Sequence, residues 1–129
     1  MHSLDYPTKP TSYDDQSLQT FVESHERAYR RNTLLARWGS GLIAQSCYFD
    51  WTVTLETDER AGLGRCQYTY NETYESGDDL VTGDSPTTVV TYYVDDSLIA
   101  RAEKTGAANE RDTLDPDPWE SGVVLEPSE

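Results

Sequence analysis

A histidine and an asparagine interrupt the apolar side of a helix predicted near the N-terminus, and their side chains are the ones best suited to chemistry. His25 and Asn32 are seven residues apart, which places them about two turns from each other on one helix face. Tyr29 lies between them. Facing a sheet, these residues could line a pocket for a small ligand or supply a general base. The alternative is a buried histidine satisfied by its neighbours, with Asn32 hydrogen-bonded to backbone.

A cluster of arginines occupies the same helix. On a helical wheel the four lie opposite the apolar stripe, which makes them candidates for binding an acidic protein partner. These residues are Arg27, Arg30, Arg31 and Arg37. Glu23 and Glu26 precede two of them by four positions, the favourable order for helical ion pairs. The alternative interpretation is a solvated face that is paired internally.

Two cysteines, Cys47 and Cys66, allow one disulfide or two buried thiols. A hairpin closing around residues 58–61 places Cys66 opposite a residue near 53, which leaves Cys47 about 20 Å away. A bridge needs Cα atoms within about 7 Å, so this register favours free thiols, whereas a bulge or an irregular start of the strand would permit the bridge. The spacing of the cysteines and histidines matches no zinc pattern, and we predict neither a metal site nor a cofactor.

The remaining motifs point to modification or solvation. Asn71 begins the sequon "NET" and is a candidate glycosylation site if the protein is exported. The stretch "ESGDDLVTGDSP", residues 75–86, is predicted to be a loop whose acids lack the spacing of a calcium-binding loop. Nucleophile, phosphate-loop and dinucleotide motifs are missing from the sequence, so we predict that the protein is not an enzyme.

The elements that position these residues follow from the hydrophobic period. Residues 1–12 are polar and contain two prolines, so they form an extended lead-in to a single domain that spans residues 13–129. Apolar residues recur at helical spacing over residues 13–38, and Gly39 and Gly41 end this helix.

A period of two replaces the helical one after the glycines. It predicts four antiparallel strands and a short edge strand, in the segments "CYFDWTVTLE", "RCQYTYNETY", "TTVVTYYV", "SLIARAE" and "SGVVLE". In the first strand the odd-numbered residues from Cys47 to Leu55 are expected to face the helix. Because the side chains expected to face the helix are apolar or tyrosines, we expect no acid to orient His25. The fold class is therefore α+β, with one long N-terminal helix packed on a curved antiparallel sheet of about four strands.

The composition is strongly acidic. The chain has 129 residues, with 24 acidic and 10 basic side chains and a formal net charge of -14. Phosphate would repel such a protein, which excludes nucleic acid as a partner, and no apolar run is long enough to span a membrane. Only two of the ten basic residues are lysines, and this acid-rich, lysine-poor composition resembles that of proteins from extreme halophiles. Molar salt shortens the Debye length to about 3 Å and screens the repulsion, so stability should rise with salt.

Two further resemblances concern fold and setting. A long helix followed by a sheet resembles the cystatin-like and NTF2-like folds. The segments "FVESHERAYRRN", "VVTYYVDDSLIARAE" and "GVVLEP" resemble domains of uncharacterised secreted proteins and lipoproteins of haloarchaea. This second resemblance covers most of the chain and implies an extracytoplasmic location, but no activity. The first residues lack the apolar stretch of a signal peptide, so a cytoplasmic location is the alternative.

Three functional hypotheses follow. The first is a non-enzymatic binding or structural domain of an exported protein from an extreme halophile. The second is a small NTF2-like ligand-binding protein or enzyme with a pocket near His25, Tyr29 and Asn32. The third is an adaptor that binds a protein partner through the arginine face of the helix.

Overall fold

One long helix and six antiparallel strands make up the computed structural model, which describes residues 1–58 and 60–125. The helix, α1 (Asp15–Trp38), packs against β1 and β2 of the sheet. The other elements, in chain order, are β1 (Leu42–Leu55), β2 (Ala61–Ser76), β3 (Asp79–Asp84), β4 (Thr88–Asp95), β5 (Ile99–Thr105), α2 (Pro118–Ser121) and β6 (Val123–Leu125). The predicted α+β class with an N-terminal helix is confirmed. The prediction of about four strands is wrong, because the sheet in the described residues has six.

The order of strands in the sheet is β1-β2-β4-β5-β6, and all pairings are antiparallel. β2 pairs with β1 along one side. On its other side the first half, Ala61–Tyr68, pairs with β4, and the second half, Asn71–Ser76, pairs with β3. The predicted turn at Asp95 is confirmed, since its carboxylate accepts hydrogen bonds from the backbone N–H groups of Ser97 and Leu98.

α1 ends at the predicted position and begins at Asp15, two residues later than predicted. Asp14 caps the first turn, because its carboxylate accepts a hydrogen bond from the backbone N–H of Ser17 at 2.8 Å. Gly39 ends the helix with φ 58, a conformation that favours glycine.

A β-bulge in β1 changes which side chains face the helix. The register shifts between Phe49 and Trp51, so Asp50 is an extra residue in this strand. A one-residue insertion exchanges the two faces. Beyond it the hydroxyls of Thr52 and Thr54 donate to carboxylates of α1 at 2.8 and 2.6 Å. The expectation that all odd-numbered residues of this strand face the helix is therefore wrong, since Trp51 packs against arginine guanidinium groups on the opposite face.

The acidic stretch predicted to be a loop forms a β-hairpin. Gly77 and Asp78 connect β2 to β3, and Gly77 has φ 64 at the first central position, as in a type II′ turn. β3 lies within residues 75–86, so the prediction of a loop is wrong there. Its apolar residues are exposed, 64% for Leu80, and its conformation depends on pairing with β2 rather than on a buried face.

The face of the sheet opposite α1 is covered by the chain that follows β5. Arg65 is fully buried, and its Nη1 donates hydrogen bonds to the backbone oxygens of Glu110 and Arg111 at 3.1 and 2.8 Å. Its Nη2 donates to the backbone oxygen of Asp115 at 2.5 Å, and its Nε donates to the hydroxyl of Thr91 at 3.3 Å. The sheet is therefore covered on both faces at β2 and β4.

Two glycines of β2 let the first half of α1 approach the sheet closely. A Cβ atom on Gly62 would lie 2.8 Å from Leu18, and a Cβ atom on Gly64 would lie 2.8 Å from Val22. Leu18 and Val22 are both buried in the core, so neither can move aside easily.

Candidate functional site

Glu26 lies fully buried between α1 and the sheet, at the centre of a polar cluster. Its carboxylate accepts hydrogen bonds from Nε and Nη2 of Arg101 at 2.8 and 2.6 Å, and from the hydroxyl of Tyr92 at 2.8 Å. The hydroxyl of Tyr68 also donates to it, and Nη2 of Arg30 lies 3.9 Å away. The Glu26 network, as we call this cluster, consists of Glu26, Arg30, Tyr68, Tyr92, Arg101 and Glu103.

Glu103 completes the network where it meets solvent, with a side chain that is 34% exposed. Its Oε1 lies 2.9 Å from Nη2 of Arg30 and 2.7 Å from Nη2 of Arg101. Burial opposes ionisation of Glu103, but the two guanidinium groups outweigh it and lower the pKa of this carboxyl. Two arginines and two glutamates cancel in formal charge, which limits the cost of burying ions.

The two tyrosines of the network act as hydrogen-bond donors. Burial raises the pKa of both Tyr68 and Tyr92 well above the ordinary value, and the nearby charge of Glu26 raises it further. Tyr29 lies against the same cluster, with the guanidinium carbon of Arg101 3.7 Å from its ring centroid. The charged and hydroxyl groups of the network are therefore bonded to one another.

His25 is oriented by this network. It is 4% exposed, and its Nδ1 lies 2.8 Å from the hydroxyl oxygen of Tyr92. Because Tyr92 gives its only hydrogen to Glu26, Nδ1 must carry a proton and donate to Tyr92. Burial lowers the pKa of His25 to about 4; Glu26 opposes this shift and Arg101 adds to it. The ring is thus neutral near pH 7, with Nε2 as a hydrogen-bond acceptor. Glu26 thus acts on His25 only through Tyr92, and no described carboxylate forms a hydrogen bond with the ring.

A cavity of about 180 Å³ lies beside His25, between α1, the N-terminal lead-in and the strands β5 and β6. Its walls are mostly apolar or aromatic. The ring centroids of His25 and Tyr6 are 4.7 Å apart, so the imidazole packs against the lead-in. Nε2 makes no hydrogen bond to the described residues, and His25 is one of the residues that line the cavity. The described lining residues are Tyr6, Pro7, Lys9, His25, Tyr29, Ile99 and Leu125.

Asn32 lies outside this cavity. Its Oδ1 accepts from the backbone N–H of Leu4 and its Nδ2 donates to the backbone oxygen of Leu4, both at 2.9 Å. Nζ of Lys9 donates to the backbone oxygen of Asp95 at 2.8 Å, so the lead-in is attached at two points. Of the three residues predicted to share a pocket, the structure brings together His25 and Tyr29. Asn32 bonds to backbone, as the alternative interpretation expects.

The four arginines predicted to form one outward surface differ in their exposure to solvent, and one of them is buried. Arg30 is 6% exposed and belongs to the Glu26 network, so the prediction that it faces outward is wrong. This part of α1 faces the sheet, where Glu103 and Tyr68 accept its hydrogen bonds. Arg27 and Arg37 are exposed, and Arg31 is half-buried.

The two ion pairs predicted along α1 have different outcomes. Glu26 and Arg30 do approach each other, but both are buried. Glu23 accepts a hydrogen bond from a threonine of β1, and Arg27 donates to the backbone oxygen of Cys47 at 3.3 Å. The described residues contain no ion pair between Glu23 and Arg27, so that pair was predicted wrongly.

Cys47 and Cys66 are both free and buried. Cys66 is paired with Thr52, five residues along β1 from Cys47, which separates the two cysteines by roughly 16 Å. This register contradicts the disulfide alternative. Burial raises the pKa of both thiols, which disfavours the reactive thiolate form.

The candidate glycosylation site Asn71 lies in a strand. The acidic residues of the stretch predicted to be a loop lie in a β-hairpin. Asn71 is partly exposed in β2; its Oδ1 accepts from the backbone N–H of Ser46 at 3.1 Å, and its Nδ2 donates to the hydroxyl of Tyr48 at 3.3 Å. Glycosylation there stays a prediction. The acids of the stretch are Glu75, Asp78, Asp79 and Asp84, at the ends of β2 and β3. Within the described ranges, no three His, Cys, Asp or Glu side chains are grouped so that they could hold a metal ion.

Sequence reasoning missed the acids at the centre of the site, although a signal for them exists. Glu26 follows Val22 by four residues and therefore falls on the apolar stripe of α1 rather than opposite it. Arg101 and Glu103 alternate with Ile99 in β5, which places all three on one face. Charged residues of both signs on two apolar faces that pack together indicate a buried ionic cluster.

Comparisons with other proteins do not extend this description. The part of the chain that the structure describes has no helix that is both long and apolar enough to cross a membrane. No protein-family model matches the chain, and neither the curated proteins nor the solved structures include a significant match.

Proposed function

We propose that this chain is a non-enzymatic binding domain whose ligand site is the cavity beside His25 and Tyr29. The observation that supports this proposal is the state of His25 Nε2, an acceptor at the cavity without a hydrogen bond to the described residues. The neighbouring polar groups of the Glu26 network are occupied by one another. A ligand that donates one hydrogen bond would complete the site.

The size of the cavity favours a small ligand. Sites for drug-sized molecules occupy about 300–1,000 Å³, whereas an apolar cavity of about 150 Å³ is enough to hold benzene. The cavity of about 180 Å³ is therefore suited to a molecule with a single ring. The strongly acidic chain disfavours an anion, although the ammonium of Lys9, which donates to the backbone oxygen of Asp95, lines the cavity. The ligand class is a neutral, single-ring alcohol or phenol.

Catalysis receives less support than binding. A general base works best with a pKa near the working pH, and the pKa of about 4 makes His25 a weak base at neutral pH. The cystatin-like and NTF2-like alternatives for the fold are both compatible with a helix followed by an antiparallel sheet. A binding function does not require a choice between them.

A titration with phenol and toluene tests the binding site. In amide NMR spectra we expect saturable shifts near His25 and Tyr6, with phenol binding about two- to tenfold more tightly than toluene because it donates a hydrogen bond. His25→Phe keeps a ring but removes Nε2, so the preference for phenol should disappear. Tyr48→Phe, an exposed position distant in sequence from the cavity lining, is the matched control. Shifts scattered over the surface without saturation would contradict the proposal.

We also propose that the domain belongs to an exported protein of an extreme halophile. Among the described residues three arginines and one glutamate are buried, and these four carry a net charge of +2, so all other residues together carry -16. Two like charges about 10 Å apart repel by about 0.4 kcal/mol in water, and many such pairs add up unless salt screens them. This distribution and the lysine-poor composition support a salt-rich environment.

Thermal unfolding in KCl tests whether the protein is adapted to high salt. Raising KCl from about 0.1 M to about 2 M should raise the melting temperature, because the Debye length falls from about 10 Å to below 3 Å. A melting temperature that stays constant over this range would argue against salt adaptation. Fractionation of the source cells, with an antibody against the domain, tests whether it is exported independently of its salt response.

A further inference from the structure

Two arginines of α1 lie in one groove and form no ion pair with a described carboxylate. Arg27 and Arg31 are four residues apart, so their side chains leave the same side of the helix. They line a groove of about 280 Å³ between α1, the lead-in and β1. Its other described walls come from Leu4, Gln45, Ser46, Cys47 and Tyr48, none of them acidic.

Arg31 is the less satisfied of the two arginines. Its Nε is completely buried and has no hydrogen-bond partner, the single side-chain atom of this kind in the described chain. This N–H is closed to solvent, so a ligand in the groove would contact Arg31 through its Nη groups rather than through Nε. Its guanidinium also forms no ion pair with a described carboxylate.

Arg27 is held in place without being neutralised. Its Nη1 donates to the backbone oxygen of Cys47 at 3.3 Å, and its guanidinium carbon lies 4.8 Å from the ring centroid of Phe49. Both contacts position the group, but neither supplies a negative charge. Two like charges at this helical spacing repel each other, and an anion between them would relieve that repulsion.

Arg27 and Arg31 are two of seven basic residues that form no ion pair with a described carboxylate, and these two share one groove. Arg30, Arg101 and Lys104 each form an ion pair with a carboxylate at less than 3 Å. The groove has a formal charge of +2 on a chain whose total is -14. Ordinary surface pairing would place an acid there, and the described walls contain none.

We infer that this groove binds a small organic monocarboxylate, held between the guanidinium groups of Arg27 and Arg31. A guanidinium presents parallel N–H donors that match the two oxygens of a carboxylate. Apolar surface at the rim, from Leu4 and from the ring of Tyr48, suits the organic part of such a ligand. An organic carboxylate is favoured over inorganic phosphate because the groove offers apolar surface that inorganic phosphate cannot use.

Arginine side-chain NMR with butyrate as the probe tests this inference. In about 1 M KCl, which screens nonspecific attraction, the Nε–H signals of Arg31 and Arg27 should shift and saturate with added butyrate. Butyramide, the neutral analogue, should leave both signals unchanged. Inorganic phosphate is the second anion, and it should bind more weakly than butyrate.

Variants separate a built site from general electrostatics. Arg31→Gln should weaken butyrate binding about tenfold or more, as expected for a lost hydrogen bond to a charged group. Arg27→Gln should have a similar effect and serves if Arg31→Gln does not fold. Arg37→Gln removes the same charge from the same helix, outside the groove, and should change the affinity by less than twofold.

Three results would overturn the inference. The first is the lack of a saturable shift of the Arg31 signal up to about 100 mM butyrate, a concentration far above the dissociation constant of a functional site. The second is an equal loss of affinity in Arg37→Gln and Arg31→Gln, which would show nonspecific attraction. The third is tighter binding of phosphate than of butyrate, which would make the groove a phosphate site.

Discussion

Replacing Glu26 by glutamine tests whether the buried network stabilises the fold. The variant keeps the side-chain volume but removes the charge that accepts four hydrogen bonds, two from Arg101 and one each from Tyr68 and Tyr92. The amide NH₂ can only donate, so it would face the donors of the guanidinium. Removing one partner of a buried ion pair costs about 3–5 kcal/mol. A chain of this length has a stability of about 6–19 kcal/mol, so the variant should still fold.

Glu103→Gln is the matched control for this experiment. Glu103 contacts Arg30 and Arg101 as well, but its side chain is 34% exposed, so water can replace the lost interactions. We expect a loss of about 1 kcal/mol, because Glu103 itself reaches solvent although both of its arginine partners are buried.

Urea unfolding followed by tryptophan fluorescence measures both losses. With a slope of about 2 kcal/mol/M, Glu26→Gln should lower the unfolding midpoint by about 1.5–2.5 M, and Glu103→Gln by about 0.5 M. The loss in Glu26→Gln should be the same at low and high KCl, because salt screens buried pairs much less than exposed ones. Equal midpoints for Glu26→Gln and Glu103→Gln would refute the argument that burial sets the cost.

Two further predictions concern pH and packing. Because the pKa of His25 is about 4 in the folded chain against 6.5 ordinarily, the unfolded chain takes up the proton first; stability should fall by about 3 kcal/mol between pH 6.5 and pH 4. His25→Gln should remove that part of the pH dependence, measured as urea midpoints. Gly64→Ala should cost about 1–3 kcal/mol, because its Cβ would lie 2.8 Å from Val22 in the packed core.

Each of these predictions has an outcome that contradicts it. Between pH 5 and pH 7 most carboxyls are already ionised. If the urea midpoint of His25→Gln changes with pH in this range as steeply as that of the parent protein, then proton uptake by His25 does not cause the pH dependence of stability. For the packing argument the control is Gly83→Ala, since a Cβ there has its nearest neighbour at 4.0 Å. Equal thermal stability of Gly64→Ala and Gly83→Ala would show that the close approach of α1 to the sheet does not make a side chain at position 64 destabilising.

Periodicity predicted α1 and the four longer strands well, because each buries a regular face. It failed where a single residue or a partner strand decides the structure. Asp50 is inserted in β1 without any change in composition, yet it exchanges the two faces of the strand beyond it. β3 buries little apolar surface, so nothing in its own sequence distinguishes it from an acidic loop.

The site was harder to predict than the fold. Charged side chains on a helix are usually exposed to solvent, and for this reason Glu26 and Arg30 were predicted to lie on the outer face of α1. Only the structure shows that Arg101 and Glu103, which come from β5, contact Glu26 and Arg30. His25 was recognised by its position on the apolar stripe, but its tautomer and its acceptor atom depend on Tyr92, which the sequence alone could not place beside it.

Arg65 holds the segment after β5 through backbone oxygens, and this determines which side chains of that segment can be substituted. Its guanidinium recognises three backbone oxygens, those of Glu110, Arg111 and Asp115, and the hydroxyl of Thr91. A contact with backbone oxygens depends on the path of the segment and not on the identity of its side chains. Related chains can therefore vary the side chains at positions 110, 111 and 115 without losing the hydrogen bonds to Arg65, although Asp115 also pairs with Lys104 and Arg111 packs on Trp51.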